Sequence, residues 1–362
     1  MKNWQKQILK NRARKFERLR RKSKKKIIAK RKSLLGISKN ERIEMNKRLQ
    51  EKRDFIRQYA SYKHVHAPTV LSMTENVEES VRFISTLEKL LSAKKKVFVE
   101  MSHVKKIASG AIIVLLSIMI KFKEENIPFN GSKPFNRDAR KMLDNSGFFD
   151  HLYEENGDQI TLKGQYDIFT HANKTVDSEL SEKLISNVSQ QIWGAPYRCP
   201  GVQRVYLELM QNTNNHASLN RQKVHHWYTT VKYNPQKNKA YFSFIDYGVG
   251  IIESINKNEK GKFWSSLKRI FSTLKPKDSG DFLRLLLDGS IHKTATQHYY
   301  RGKGLPGIYK AFTENKISNL IVITNDAYAD CRNNNYVTLS DKFEGTYVYW
   351  ELESTNHKVE AI

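Results

Sequence analysis

The sequence predicts an α+β protein, and three observations predict it. Between His64 and Gly147 strand-like apolar runs alternate with helical stretches. After Thr170, helical stretches precede and interrupt five runs of strand-like alternation. Ahead of both stands a segment too basic and too poor in apolar residues to build a core. With 362 residues, 39% of them apolar and 28% charged, the chain is long enough for several domains. Three are expected: a basic helical arm over 1–60, a small α/β domain over 61–172 and an α+β domain over 173–362.

The formal charge of +26 is concentrated in the arm. Residues 1–58 hold 23 Lys and Arg against 5 Asp and Glu, a net of +18, and the rest of the chain carries only +8. Such a segment attracts phosphates, so nucleic acid is the expected partner of residues 1–58. An acidic membrane surface, an acidic protein or a solvated helical pair are the alternatives. Within the arm Gly36 separates two helices, and Ser38 with Glu41 has the spacing of a capping box for the second, through Ile43, Leu49, Phe55 and Ile56.

The longest apolar run, Ala111 to Ile120, is about half of what a membrane-spanning helix needs, and no apolar segment follows the basic start as a secretory signal would require. A soluble, cytoplasmic protein is expected. Two cysteines, Cys199 and Cys331, build neither a disulfide framework nor a cysteine-rich zinc site, and the 11 histidines show no paired ligand spacing. No structural metal is expected.

In order, the body should begin with an extended piece at Thr69–Ser72 and a helix capped near Asn76. A buried strand follows at Lys96–Met101, then a helix over Ser109–Glu125 so apolar that it must pack on several sides. Ile127–Asn130 returns as a strand, and Asn136–Ser146 is a helix ended by Gly147. Further on come helices over Val176–Trp193 and Val202–Ala217, strands over Val224–Tyr233 and Lys239–Asp246, and a 50-residue insertion from Ile251 to Tyr300 with helices at Phe263–Leu274 and Asp281–Leu287. A helix starting near Gly304 and strands at Asn319–Asn325, Asn335–Leu339 and Thr346–Leu352 complete the series.

Four motifs in the last 160 residues carry the chemistry. ELMQNTNNHA (Glu208 to Ala217) lies on a helix, where Glu208 and Asn212 are one turn apart and share a face. DYGVG (Asp246 to Gly250) ends a strand. RGKGLPGI (Arg301 to Ile308) runs into a helix whose free N–H groups can face phosphates. Gly345-Thr346 opens the last strand. Alone, each also fits a bland role: an amphipathic helix, a turn, a loop, a strand start.

In this order and combination the motifs resemble the GHKL ATPase superfamily of gyrase, heat-shock chaperone, histidine kinase and mismatch-repair ATPases, over roughly residues 175–355. The resemblance implies a Bergerat-type ATP-binding sandwich with Glu208 as general base and Asn212 as ligand of a magnesium ion. Asp246 would accept the adenine amino group, and Gly248 and Gly250 would admit the nucleotide to close approach. Gly302, Gly304 and Gly307, with Arg301 or Lys303, would face the β- and γ-phosphates, and Thr346 would stand near the base. Pro306 departs from the kinase pattern, although proline is tolerated in a first helical turn. The insertion would be the ATP lid, with Lys293, Thr294 and Thr296 as candidate phosphate contacts.

ExxxNxxxHA, ending in His216 and Ala217, is similar to the anti-sigma-factor serine kinases. Lys96 to Gly131 looks like a STAS domain, the fold of anti-anti-sigma factors, which implies a possible protein partner for that domain. The STAS phosphoacceptor serine would be Ser109, but its acidic neighbour is missing, and Ser109 is better read as a helix cap. The expected function is therefore a regulatory ATPase using ATP and Mg²⁺ with a nucleic-acid-contacting arm. A serine/threonine protein kinase of the anti-sigma type is the alternative.

Overall fold

The computed structural model of the chain describes residues 14, 17–27, 39–146, 148, 169–173, 176–217, 227–257, 276–290, 304–356 and 358. The chain divides into two units, Met1–Ser61 and Tyr62–Ile362.

In the first unit, helices over 17–27 (α1) and Lys39–Gln58 (α2) are described. Both are held by local charge pairs one turn apart, Glu17 with Arg21 at 2.8 Å and Glu44 with Arg48, each adding a few tenths of a kcal/mol at ~0.3–0.5. Leu19, Ile27, Ile43, Leu49, Phe55 and Ile56 are all exposed, so these helices bury no core of their own. Ser38 and its cap lie outside the described residues.

The second unit opens with three parallel strands, β1 (Lys63–His66), β3 (Val97–Glu100) and β5 (Phe129–Gly131), in the order β1-β3-β5. A two-residue parallel pair, β2 (Val70–Leu71) and β4 (Lys106–Ile107), lies beside them. Helix α3 (Val77–Ser92) connects toward β3 and helix α4 (Ser109–Glu124) connects β4 to β5. Helix α5 (Arg137–Asp144) follows, capped by Asn136, whose side-chain oxygen accepts from the Asp138 and Ala139 amides at 3.0 Å. Gly147, its expected terminator, lies outside the described residues.

The remainder forms one antiparallel sheet of β6 (Phe169–Asn173), β7 (Trp227–Asn234), β8 (Lys239–Asp246), β9 (Ser318–Asp330) and β10 (Asn335–Glu353), ordered β6-β7-β8-β10-β9. One face carries Trp227, Phe242, Phe244, Val322, Val348 and Trp350 into a core shared with α6 (Ser178–Trp193) and α7 (Pro200–Ala217). Ser279–Leu287 (α9) and Gly304–Thr313 (α10) complete that helical layer, and the short α8 (Ile251–Lys257) follows β8. Aromatic pairing across strands fills this core: Phe242 stacks on Trp350 with centroids 5.3 Å apart, and Trp227 on Phe244 at 5.5 Å.

The opposite face bears Tyr228, Ile245, Ile321, Ile323 and Tyr347, which share a core with α3 and α4. This explains the composition of α4, in which every residue from Ser109 to Met119 is buried, because it packs between the small sheet and the large one. A side chain at Gly110 would meet the Tyr347 hydroxyl oxygen at 2.0 Å and Ser243 Oγ at 2.7 Å, so the helix start lies directly on the large sheet. The cap of α4 is Ala108, without a side-chain bond, and Ser109 is its buried first residue rather than its cap. Among the described residues no helix is long and apolar enough to cross a membrane.

Candidate functional site

Asp246 is the last residue of β8, flanked in the sheet by Trp227 on β7 and Thr346 on β10. Its Oδ1 is buried without a hydrogen-bond partner. Burial pushes the carboxyl up to about 7, against the opposing pull of the Thr213 hydroxyl and the Lys121 ammonium. The Thr213 hydroxyl is itself 3.1 Å from the Leu209 carbonyl, to which it donates. A buried, unsatisfied acceptor is costly to a fold, and it is the feature expected where a ligand donor completes the set.

The turn after Asp246 is held from β9. Thr324 Oγ1 accepts from the Ile251 amide at 2.8 Å, and Asn325 donates to the Val249 carbonyl at 2.9 Å while accepting from the Glu253 amide at 3.1 Å. Gly250 is required there on two counts: its φ is +76°, and a Cβ would lie 2.5 Å from the Asn325 amide nitrogen. At Gly248 the situation differs. The atoms nearest a Cβ there all belong to the Asp246 carboxylate, none closer than 3.6 Å, so no described neighbour crowds that position.

Helix α7 brings Glu208 and Asn212 to the same region, with Pro200 as its first residue. Helix α10 begins at Gly304, and its first turn contains Pro306, as the sequence allowed. Gly304 and Gly307 serve close approach rather than a left-handed turn. A Cβ at Gly304 would lie 2.9 Å from Asn212 Nδ2, and one at Gly307 would lie 3.0 Å from Arg204 Nη2. The amide of Asn212 thus rests against the start of a helix whose unpaired N–H groups favour anions.

Arg204 is the functional candidate that sequence reasoning missed. Its Nε is 3.7 Å from Glu208 Oε1, a pair one turn apart whose spacing was visible in the sequence.

The structure brings Asp246, Gly248, Gly250 and Thr346 together at the end of β8, and sets Arg204 and Asn212 of α7, with Glu208 between them, against Gly307 and Gly304 of α10; Thr213, next to Asn212, links the two groups by facing Asp246. Lys293, Thr294, Thr296, Arg301, Gly302 and Lys303 lie outside the described residues, as does the helix expected at 263–274. The other half of the insertion is not a free lid. In α9, Leu283 and Leu287 are fully buried in the core shared with α6 and α7, and a side chain at Gly280 would strike the Val337 backbone at 2.5 Å.

Among the described residues no group of three or more His, Cys, Asp and Glu could hold a metal. Asn212 supplies one neutral oxygen ligand, which suits Mg²⁺ only when phosphate oxygens and water complete its shell. Cys199 and Cys331 are buried thiols, pushed up to about 11 and about 12 by burial, which keeps both protonated at neutral pH. Neither a protein-family model nor a curated protein matches this chain.

Proposed function

We propose that the second unit binds an adenine nucleotide with Mg²⁺ in a GHKL-type site and acts as a regulatory ATPase, while residues 1–58 contact nucleic acid. The observation that carries this reading is the Asp246 carboxylate, buried with Oδ1 unpaired beside a glycine that no described neighbour crowds. An exocyclic amine supplies the missing donor, and the space at Gly248 admits a ring.

The closeness of Asn212 to the first turn of α10 supports a Mg²⁺ ion shared between its side-chain oxygen and phosphates that accept from the helix N-terminus. Bound Mg²⁺ would neutralise charge on the transferred phosphoryl group. Glu208, one turn before Asn212 and 22% exposed, has the position of a base that can take a proton from water, and Arg204 holds its orientation. The arm's +18 over 58 residues supports a polyanionic partner.

Ser109 is 8% exposed inside the α4 contact with the sheet, which removes the in-chain acceptor that the kinase alternative would use. The test is to incubate the full chain with γ-labelled ATP and Mg²⁺. Label is expected as free phosphate or as retained nucleotide. Stoichiometric label on the protein would favour the kinase alternative, and no binding at all would end the nucleotide reading.

A further inference from the structure

Helices α3 and α4 belong to the small α/β part, yet both reach the residues that frame Asp246 and Thr346. From α4, Lys121 places its ammonium 3.7 Å from the ring centroid of Tyr247, the residue after Asp246. The same Nζ is 3.9 Å from Glu344 Oε2, two residues before Thr346. From α3, Glu88 is 4% exposed and accepts from the Glu344 amide at 3.3 Å.

Helix α3 also grips the preceding stretch of β10. Glu78 accepts from the Ser340 amide at 3.4 Å, and Arg82 and Lys89 reach Asp341 at 3.3 and 3.4 Å. The β9–β10 ladder shifts register between Thr338 and Phe343 and again between Phe343 and Thr346. Between Thr338 and Thr346 only Phe343, opposite Asn325, keeps the ladder pairing, and α3 adds a constraint on the residues around it.

We propose that Lys121 and Glu88 are positioning residues of the nucleotide site: the ammonium on α4 and the carboxyl on α3 hold Tyr247 and Glu344, and through them set Asp246 against Thr346. The small α/β part then tunes the affinity of the site. This rests on the nucleotide reading above only for its consequence on binding.

The charges explain why two residues are needed. The groups facing Glu88 are Glu344 from β10, Lys121 from α4 and Tyr247 from the turn after β8. Burial and the Glu344 charge raise the Glu88 carboxyl to about 8, against Lys121, the Glu344 amide and the Tyr247 hydroxyl. Below that pH one ammonium balances one carboxylate. Above it, Glu88 adds a second negative charge and the Glu344 segment is pushed away. A carboxyl raised by folding from 4.5 to about 8 stabilises the folded state fully below about pH 4.5, loses that contribution progressively as pH rises to about 8, and changes nothing further above it.

The test measures hydrogen-exchange protection in the full chain for peptides covering 245–256 and 340–350, with 202–210 as an internal reference, and Mg-ATP affinity in parallel. Lys121→Met is expected to lower protection in the first two peptides about tenfold with 202–210 unchanged, and to weaken Mg-ATP about tenfold. Lys121→Arg should restore both. In the wild type, protection in those peptides should fall as pH rises from about 5 to about 8 and level off above, and in Glu88→Gln it should not. Unchanged protection in Lys121→Met, or an equal loss in 202–210, overturns the proposal. If protection behaves as expected but the wild type binds no nucleotide, the positioning role stands and the nucleotide reading fails.

Discussion

Thr346 stands directly opposite Asp246 across the β8–β10 ladder, and its hydroxyl oxygen is 3.2 Å from that of Thr324. Thr324 donates to the Gly345 carbonyl at 3.0 Å and accepts from the Ile251 amide, so the proton between the two hydroxyls must come from Thr346. As the donor in that pair, the Thr346 hydroxyl keeps its capacity to accept, and can take a hydrogen bond from a bound ring or its water. Thr346→Val should weaken ATP binding roughly fivefold, the worth of about one hydrogen bond at ~1 kcal/mol, and Thr346→Ser should not. Calorimetric titration of the two variants checks this.

The Asp246 carboxyl, raised to about 7, links binding to pH. An ionised acceptor holds an amino group more strongly than a neutral carboxyl does, so affinity should fall as pH drops below about 7 and level off above about 8. For the ligand-free protein the sign is opposite. A folded pKa above the ordinary 3.8 makes the fold lose stability as pH rises from about 4 to about 7. Asp246→Asn should thus melt at a higher temperature than wild type at pH 8 while binding ATP more weakly. A thermal melt and a titration at pH 6 and pH 8 separate the two effects.

At Gly304 a single methyl group would displace the Asn212 amide, 2.9 Å away. Gly304→Ala is expected to reduce the Mg²⁺-dependent part of nucleotide affinity about tenfold and to leave binding in EDTA nearly unchanged. Titrations with and without Mg²⁺ give the answer.

Glu208→Gln should retain nucleotide and slow phosphate release by the ~10²–10⁴-fold expected of a lost general base. Arg204→Ala, which frees Glu208 to rotate, should slow release less and leave binding unchanged. Single-turnover phosphate release compared with equilibrium binding distinguishes the two.

Deleting residues 1–58 removes a net charge of +18 and should abolish retention on DNA or RNA. For the full chain the logarithm of affinity should fall with the logarithm of salt at about 0.9 per phosphate neutralised. Filter binding across a salt series provides the slope, and ATP affinity of the truncated chain should be unchanged.

Much of the fold was legible locally. The sequence marks the strand Lys239–Asp246 and the helix end at Trp193 to the residue, because alternation and helical period are local signals. β9 and β10 were not. Their 13 and 19 residues were read as three shorter strands, since the polar stretch Ser340–Glu344 looks like a loop until α3 is laid over it. β1 was missed because Lys63, His64 and His66 face outward and only Val65 is buried. In the site, the glycines and carboxylates announced themselves by spacing. Lys121 and Glu88 did not, because their partners lie more than 120 residues away in sequence, at Tyr247 and Glu344.

Gly110 carries a last consequence. It lets α4 lie against Tyr347 and Ser243, leaving that helix no side facing water from Ser109 to Met119. A substitution on α4 must therefore satisfy two surfaces at once, one on each sheet. The two halves of this unit are not free to be exchanged against foreign partners by recombination. In descendants of this chain, positions 110, 243 and 347 should change together or stay fixed together, and a lineage that enlarges residue 110 should carry a smaller residue at 347.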